Sequence, residues 1–354
     1  MSILTFFIAV GDRAQLSLGL MAEPFRVSVI IPVYNAGTRV RRAVESAIAL
    51  PEVGEVILVE DGSPDGALKV CSDLAAEHSQ VRLFQHPDGV NHGAGASRNL
   101  GVRQAAFPYI AFLDADDWWL PNRFEAERVL FSADPSLDGV YGAISHRYEN
   151  EDVHARWVAQ GREEILTVSA PVPPEELVFV LLWSHPRVRG EFHTIAVTVK
   201  RSFFDRIGGF HEDLRLQQDT HLWKRMAAGG RLAAGSIVDP VAIQDIHGEN
   251  RMTRAEDHYQ YLYLWWSSLG RSLRVMRVNP AVMQAWRRAY ASYRARRGPR
   301  WKAVIGLASW ALRQPSEIKI AYGHFDLTLR NIFDSHYSVL RMLSFKNRLM
   351  ARNS

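Results

Sequence analysis

One cysteine, Cys71, is all that 354 residues offer. That excludes a disulfide scaffold and a Cys-ligated zinc module, and a single thiol suits a reducing compartment. Apolar runs are short as well. None approaches the roughly 18 residues that a bilayer-spanning helix needs. The stretch Ile3–Val10 is apolar, but its basic residue, Arg13, comes after it instead of before, so the pattern of a signal peptide is missing. Met21 stands just ahead of the first convincing strand. Residues 1–23 therefore read as an ill-defined segment, or as upstream of a start at Met21. Repeats and low-complexity tracts are lacking too.

What is present is core-forming material. Apolar residues make up 47%, with 16 Phe, 11 Tyr and 10 Trp, which rules out disorder as the state of the whole chain. The length suits one large α/β domain with an appendage, or two modest domains. A net charge of +4 hides an asymmetry. Residues 1–270 hold 25 basic against 35 acidic side chains, whereas residues 271–354 hold 17 against 3. An acidic body with a basic tail suggests that the tail meets something anionic.

From Arg26 the pattern is regular. Val27–Asn35 (VSVIIPVYN) is a β-branched run without alternation, as in a strand buried on both faces. Thr38 can cap a helix whose Val40, Val44, Ala47 and Ile48 form one apolar stripe. Glu55–Ser63 reads as a second strand, Asp65–His78 as a helix, Val81–His86 as a third strand, Ala94–Ala106 as a helix and Pro108–Asp117 as a fourth strand. Such alternation predicts an α/β fold with a mostly parallel, doubly wound sheet, in which ligands bind at the carboxyl ends of the strands. Beyond Pro121 the expected elements are a helix over Asn122–Phe131, a strand over Gly139–His146 and an irregular stretch over 147–175. A short helix over Glu175–Trp183, a strand over His193–Lys200, a helix over Asp219–Ala228 and a strand near Ile237–Asp245 follow. From Arg254 the pattern is helical and rich in Trp, Tyr and Arg.

Three acidic clusters fall where ligands should bind: Glu60-Asp61-Gly62-Ser63, Asp114-Ala115-Asp116-Asp117, and Asp219 after Gly208-Gly209-Phe210. One acidic turn alone is more often a solvated loop or a helix cap. Together with SVIIPVYN, NHGAGASRNLG, FLDADDWW, GGFHEDLRLQQDTHLWKR and IHGENR, in this order and spacing, they resemble the family 2 inverting glycosyltransferases. The resemblance spans about Pro24 to Arg254. It implies a Rossmann-like GT-A domain over 24–254, followed by a helical, basic, aromatic-rich extension over 255–354.

The resemblance also implies roles. Pro32, Tyr34 and Asn35 would line the base pocket of a nucleotide-sugar donor, and Asp61 would contact the base. A carboxylate can accept the N3–H of uracil, which cytosine lacks, so a UDP-sugar is favoured. Glu60 stands where the family commonly has Asp. Arg98 resembles an arginine near base and phosphates, with a surface ion pair as the plain alternative. Asp114 and Asp116 match the D-x-D signature, with Asp114 at the ribose and Asp116 on Mn²⁺ or Mg²⁺. Such a cation neutralises the leaving diphosphate. Asp117 stands beside them or caps the next turn. Asp219 is the candidate base that takes the proton of the acceptor hydroxyl, its alternative being a helix N-cap. Its neighbour is Gln218, where the family has Glu. His247 would join Asp116 at the metal, with Asn250 and Arg251 beside it, whereas His185 and His193 read as structural.

The tail interleaves Arg287, Arg288, Arg294, Arg296, Arg297, Arg300 and Lys302 with Trp286, Tyr290, Tyr293 and Trp301. That suits an anionic membrane surface, the preferred reading, or a solvated helix face; nucleic acid is disfavoured. The expected enzyme is cytoplasmic or peripheral on the inner face of the cell membrane. It moves sugar to a hydroxyl of a glycan or a lipid-linked saccharide. Two alternatives stay open. One is a degenerate family member acting as a membrane-associated scaffold. The other is a nucleotidyltransferase, although Tyr34-Asn35-Ala36-Gly37 lacks the basic glycine-rich loop that such enzymes carry near the first strand.

Overall fold

The computed structural model describes residues 25–159, 164–214, 216–248 and 258–297. The segment 1–23, Asn250, Arg251, Arg300, Trp301 and Lys302 lie outside the described residues, as do the side chains of Arg294, Arg296 and Arg297.

The first half alternates as its pattern demands: β1 (Val27–Val33), α1 (Val40–Ile48), β2 (Val53–Glu60), α2 (Ala67–Glu77), β3 (Val81–Gln85), α3 (Ala94–Gln104) and β4 (Tyr109–Phe112). Every residue of β1 except Pro32 is buried. Proline lacks a donor, but it costs no ladder bond here. β4 pairs with β1 only as far as Ile30↔Phe112, and Pro32 turns the same edge toward the side that β4 has left. α1 buries the stripe Val40, Ala43, Val44 and Ala47. Thr38 does not cap it; the helix opens at Arg39 with no side-chain cap, and the Arg39 and Val40 amides donate to the Ala36 carbonyl instead.

The later elements are β5 (Trp118–Trp119), α4 (Glu125–Ala133), β6 (Gly139–Tyr141), β7 (Ile144–Tyr148), α5 (Glu151–Ala159), β8 (Ile165–Leu166) and α6 (Leu177–Leu181). After a 3-10 turn at Thr194–Ala196 come β9 (Val197–Lys200), α7 (Arg201–Ile207), α8 (Gln218–Gly229), β10 (Leu232–Ala234), β11 (Ala242–Ile246), α9 (His258–Val275) and α10 (Pro280–Arg297). A seven-stranded sheet has the order β10-β6-β9-β4-β1-β2-β3. β3, β2, β1 and β4 run parallel, while β9 is antiparallel to both its neighbours. A second sheet has the order β5-β11-β7-β8.

Two further expectations change. The run Gly139–His146 is two strands serving two sheets, β6 in the large one and β7 in the small one. The chain breaks at Gly142-Ala143, whose amides donate to Ala196 and Ser236. A side chain at Gly142 would also press 3.1 Å from the Ser236 carbonyl. The stretch 147–175 is not wholly irregular, because α5 buries Val153 and Trp157 against Ile246 of β11.

Two compact units divide after Ala285. In the first, α9 docks on α8: Trp265 Nε1 donates to the Gln217 carbonyl at 2.9 Å, and Ser268 Oγ lies 3.0 Å from His221 Nε2. Burial, helped by nearby Arg225, drives the His221 pKa down to about 2, so this imidazole is neutral. In the second unit Trp286, Tyr290 and Tyr293 stack along α10 at 5.5 and 6.3 Å between successive rings. Among the described residues no helix is long and apolar enough to cross a membrane.

The antiparallel strand β9 is fastened from beneath by Arg123. Its guanidinium pairs with Glu127, donates to the Ile195 and Val197 carbonyls and to Thr198 Oγ1 at 3.2 Å each, and is wholly buried. Burial moves both partners toward neutrality, pushing the Arg123 pKa down and the Glu127 pKa up. Breaking such a pair from one side strands the other charge. Arg123→Met should therefore lower unfolding free energy by about 3–5 kcal/mol, and Arg123→Met with Glu127→Leu by much less. Urea titration of the three proteins decides it; equal losses would refute the account.

Candidate active site

The carboxyl ends of β1, β2 and β4 lie side by side, with Val33 paired to Glu60 and Ile30 to Phe112. The turn after β2 is held by its own acids. Glu60 accepts the Ser63 amide at 2.6 Å and Gln85 Nε2 at 2.8 Å. Burial alone would raise its pKa, but these bonds outweigh burial and leave it lowered. Asp61, 1% exposed, takes the His92 amide on Oδ1 at 2.8 Å. Its Oδ2 takes the Gly93 amide at 2.8 Å and Asn91 Nδ2 at 2.9 Å. His86 Nε2 stands 3.5 Å from Oδ1. The carboxylate thus anchors the glycine-rich loop that leads into α3. Gly62 permits this approach, since its φ is +70° and a Cβ there would lie 2.8 Å from the Gly89 carbonyl.

Beside this turn stand the candidate base-pocket residues of β1. Tyr34 and Asn35 are exposed and Pro32 half-buried; Asn35 holds a left-handed φ of 54°, its amide bonded to Ser63 Oγ at 3.1 Å. Strained backbone of this kind gathers at functional sites.

The acid loop Asp114–Asp117 carries the chain from β4 of the large sheet to β5 of the small one. Asp117 is buried and accepts the Asp245 amide at 2.8 Å, which fixes β11 against the loop. Burial, then Asp116 and Asp114, hold its pKa well above the usual carboxylate range. β11 pairs with β5 through Ala242↔Trp119, and the chain leaving β11 delivers His247. His247 Nε2 lies 3.1 Å from Asp116 Oδ2. Arg42 braces the same corner, donating to the Asp116 carbonyl at 2.8 Å and Asp245 Oδ2 at 2.6 Å, with its guanidinium 3.8 Å above the Trp118 ring.

Arg98 on α3 reaches across to Asp114 Oδ1 at 2.5 Å and lies over Phe210. It is buried, and its Nε has no hydrogen-bond partner among the described residues. Asn99 pairs both ways with Phe210, its Oδ1 taking the amide at 2.8 Å and its Nδ2 giving to the carbonyl at 2.9 Å. Arg225 grips the Ile207 and Gly209 carbonyls from the other side. The Gly-Gly-Phe turn is thereby pinned between α3 and α8, and Gln218 abuts Gly95, where a Cβ would lie 3.0 Å from its Oε1. Asp219 follows, half-buried in the first turn of α8. It is not the N-cap, which is Gln217 in a left-handed conformation. Its Oδ1 accepts the Thr220 amide at 2.8 Å, and Oδ2 accepts nothing among the described residues.

Asp116 and His247 are therefore brought together, as are Arg98 and Asp114. His185, bonded to Glu176 at 3.0 Å, and His193, at the start of the 3-10 turn, are structural. Sequence reasoning missed Arg42, Asn91, Asn99 and Asp245. Asn91 and Asn99 lie inside the glycine-rich motif and could have been noticed; Arg42 and Asp245 look like ordinary surface charges. Asp116 and His247 offer a carboxylate oxygen and an imidazole nitrogen to a cation. No group of three or more His, Cys, Asp or Glu among the described residues could hold a metal by itself. The pair fits an ion whose other ligands come from substrate phosphates and water, and the nitrogen suits Mn²⁺ better than Mg²⁺.

The crystal structure of TarS residues 1–349 from S. aureus matches this fold with a TM-score of 0.56 at 16% identity, over 77% of this chain and 74% of that one. The fold is GT-A. Residues 28–170 match the family described as Glycosyl transferase family 2. It is 28% identical to an uncharacterised glycosyltransferase of Rickettsia felis over 246 residues, covering 68% of this chain and 38% of the relative. To the succinoglycan biosynthesis protein ExoU of Rhizobium meliloti it is 32% identical over 216 residues, 59% of each chain. The matches thus span less than two thirds of those relatives' own lengths.

Asp61→Asn places an N–H against an amide that now donates to a carboxylate. The mutant should lose about 1–3 kcal/mol of stability, with faster hydrogen exchange at His92 and Gly93. Unchanged exchange at both amides would mean that Asp61 does not hold the loop.

Proposed function

We propose that this chain is a metal-dependent, inverting glycosyltransferase that takes sugar from a UDP-sugar. The 3.1 Å approach of Asp116 Oδ2 to His247 Nε2, across 131 positions of chain, carries the reading. Structures of TarS with UDP and with UDP-GlcNAc make uridine the first donor to try.

Pro32, Tyr34 and Asn35 bound the base pocket, with Asp61 setting the loop beside it through both its oxygens. Asp114 faces the ribose, its carboxylate oriented by Arg98. The buried guanidinium of Arg98, with Nε free of hydrogen-bond partners among the described residues, favours the phosphates on that side. Asp116 and His247 hold the divalent cation, Mn²⁺ or Mg²⁺, which when bound neutralises charge on the departing diphosphate. Asp219 takes the proton of the acceptor hydroxyl on its uncommitted Oδ2 as that oxygen attacks the anomeric carbon opposite the leaving group, which inverts the centre. Arg42 keeps Asp116 and Asp245 in register. The acceptor is a hydroxyl of a cell-surface glycan or glycolipid. The basic tail would hold the enzyme at an anionic membrane surface on the cytoplasmic side.

Calorimetric titration with UDP, GDP and CDP, with and without Mn²⁺, should show tight, metal-requiring binding of UDP alone, lost in Asp116→Asn. No nucleotide binding under any condition would sink the donor assignment and favour a scaffold role. Asp219→Asn should keep UDP binding and lose transfer by at least ~100-fold. Near wild-type transfer in that variant would show that another group is the base.

A further inference from the structure

Five residues beyond Asp219, α8 carries a lysine that the reaction above does not use. Lys224 is 2% exposed. Among the described residues its ammonium makes no hydrogen bond or ion pair. It lies instead 4.9 Å from the Trp183 ring centroid and 5.2 Å from that of Trp265. Burial pushes its pKa down, and only the more distant charges of Glu191 and Asp219 pull the other way. An ammonium held this dry without an acceptor is costly, and the cost is met when a ligand supplies the missing anion.

Trp183 shows where such a ligand would arrive. It is 49% exposed, although indole is among the largest apolar surfaces a chain possesses. Its φ of 54° is left-handed, a conformation that bulky residues avoid. The Trp183 amide donates to the Val180 carbonyl, and the ring meets Trp266 at 6.3 Å, so the side chain is displayed on a fixed support. Lys224 is thus reached from both ends of the segment 183–191, by the ring of Trp183 and by the charge of Glu191. Between them the segment exposes Arg187 and Arg189, positive charge on a body with an excess of acids. Five residues of helix put Lys224 about 7.5 Å beyond Asp219 along the axis and about 140° around it, and the charge of Asp219 still reaches its ammonium.

We propose that Trp183 and Lys224 form an acceptor subsite beside Asp219 that takes a sugar bearing an anionic group, carboxylate or phosphate. The apolar face of the sugar stacks on Trp183, its anion pairs with Lys224, and a hydroxyl is left at Asp219. This rests on the transferase reading above and gives that reading an acceptor class.

The test is a saturation-transfer NMR titration, with UDP and Mn²⁺ present, of three probes: methyl β-glucuronide, methyl β-glucoside 6-phosphate and neutral methyl β-glucoside. The wild type should bind at least one charged probe about tenfold tighter than the neutral one. A preference for the glucuronide alone identifies a uronic acid, and one for the phosphate alone a phosphosugar. Lys224→Met should bring charged and neutral probes to parity while UDP still binds. Trp183→Asn, which keeps the left-handed backbone at an exposed position, should lose all three probes and retain UDP, and it remains informative should the lysine variant misfold. Equal affinities in the wild type overturn the proposal, as does a charge preference that survives in Lys224→Met, or absence of all three probes from a protein that binds UDP. A wild type that binds no nucleotide would bring down the transferase reading itself, and this inference with it.

Discussion

The carboxylate of Asp117 holds the amide of Asp245 at 2.8 Å, joining two points 128 residues apart in the chain. Much of the site depends on that bond. The acid loop is where the chain crosses from the large sheet to the small one, and β11 returns to β5 at this crossing. Only because β11 is docked there does the residue two places past Asp245 face Asp116. Burial and two acidic neighbours push the pKa of this carboxyl well above the usual range, and the Asp245 amide donates to it.

The same economy governs the other buried charges. Asp61 spends its two oxygens on the loop that begins α3, and that loop sets Arg98 against Asp114 and Gly95 against Gln218. The acid loop and the first turn of α8 are thereby linked through one glycine-rich segment. Movement of that segment would disturb the Arg98–Asp114 pair and the surroundings of Asp219 together. Arg123, Asn99 and Arg225 lie farther from the chemistry, yet each immobilises a backbone turn on which a site residue depends. Lys224 breaks the pattern as a buried cation that pairs with no anion among the described residues, set between an exposed ring and the candidate base.

Where the chain alternates strand and helix, from Val27 to Phe112, periodicity located every element, most plainly where β1 and β2 are buried almost throughout and α1 has one apolar stripe. Legibility fails after Pro121 for definite reasons. Gly139–His146 reads as one strand because its break at Gly142-Ala143 is set by the distant partners Ala196 and Ser236. In the helix Glu151–Ala159 the pair Val153 and Trp157 acquires meaning only against Ile246. Asp61 was legible as a site residue by its place after β2, but not as the anchor of residues 91–93, since nothing local records which amides a carboxylate will meet.

The sequence by itself determined the α/β class, the parallel core and the three acidic clusters at strand ends, because these follow from local periodicity and from short motifs whose residues are neighbours in the chain. Tertiary structure alone decided which distant groups meet. It set His247 on Asp116, Arg42 on Asp245, Gln218 against Gly95, and Lys224 between Trp183 and Trp265. The physical reason is that side-chain pairing at these points depends on the register of the small sheet and on the docking of α8 and α9. Both are fixed by packing and buried hydrogen bonds between segments tens to more than a hundred residues apart.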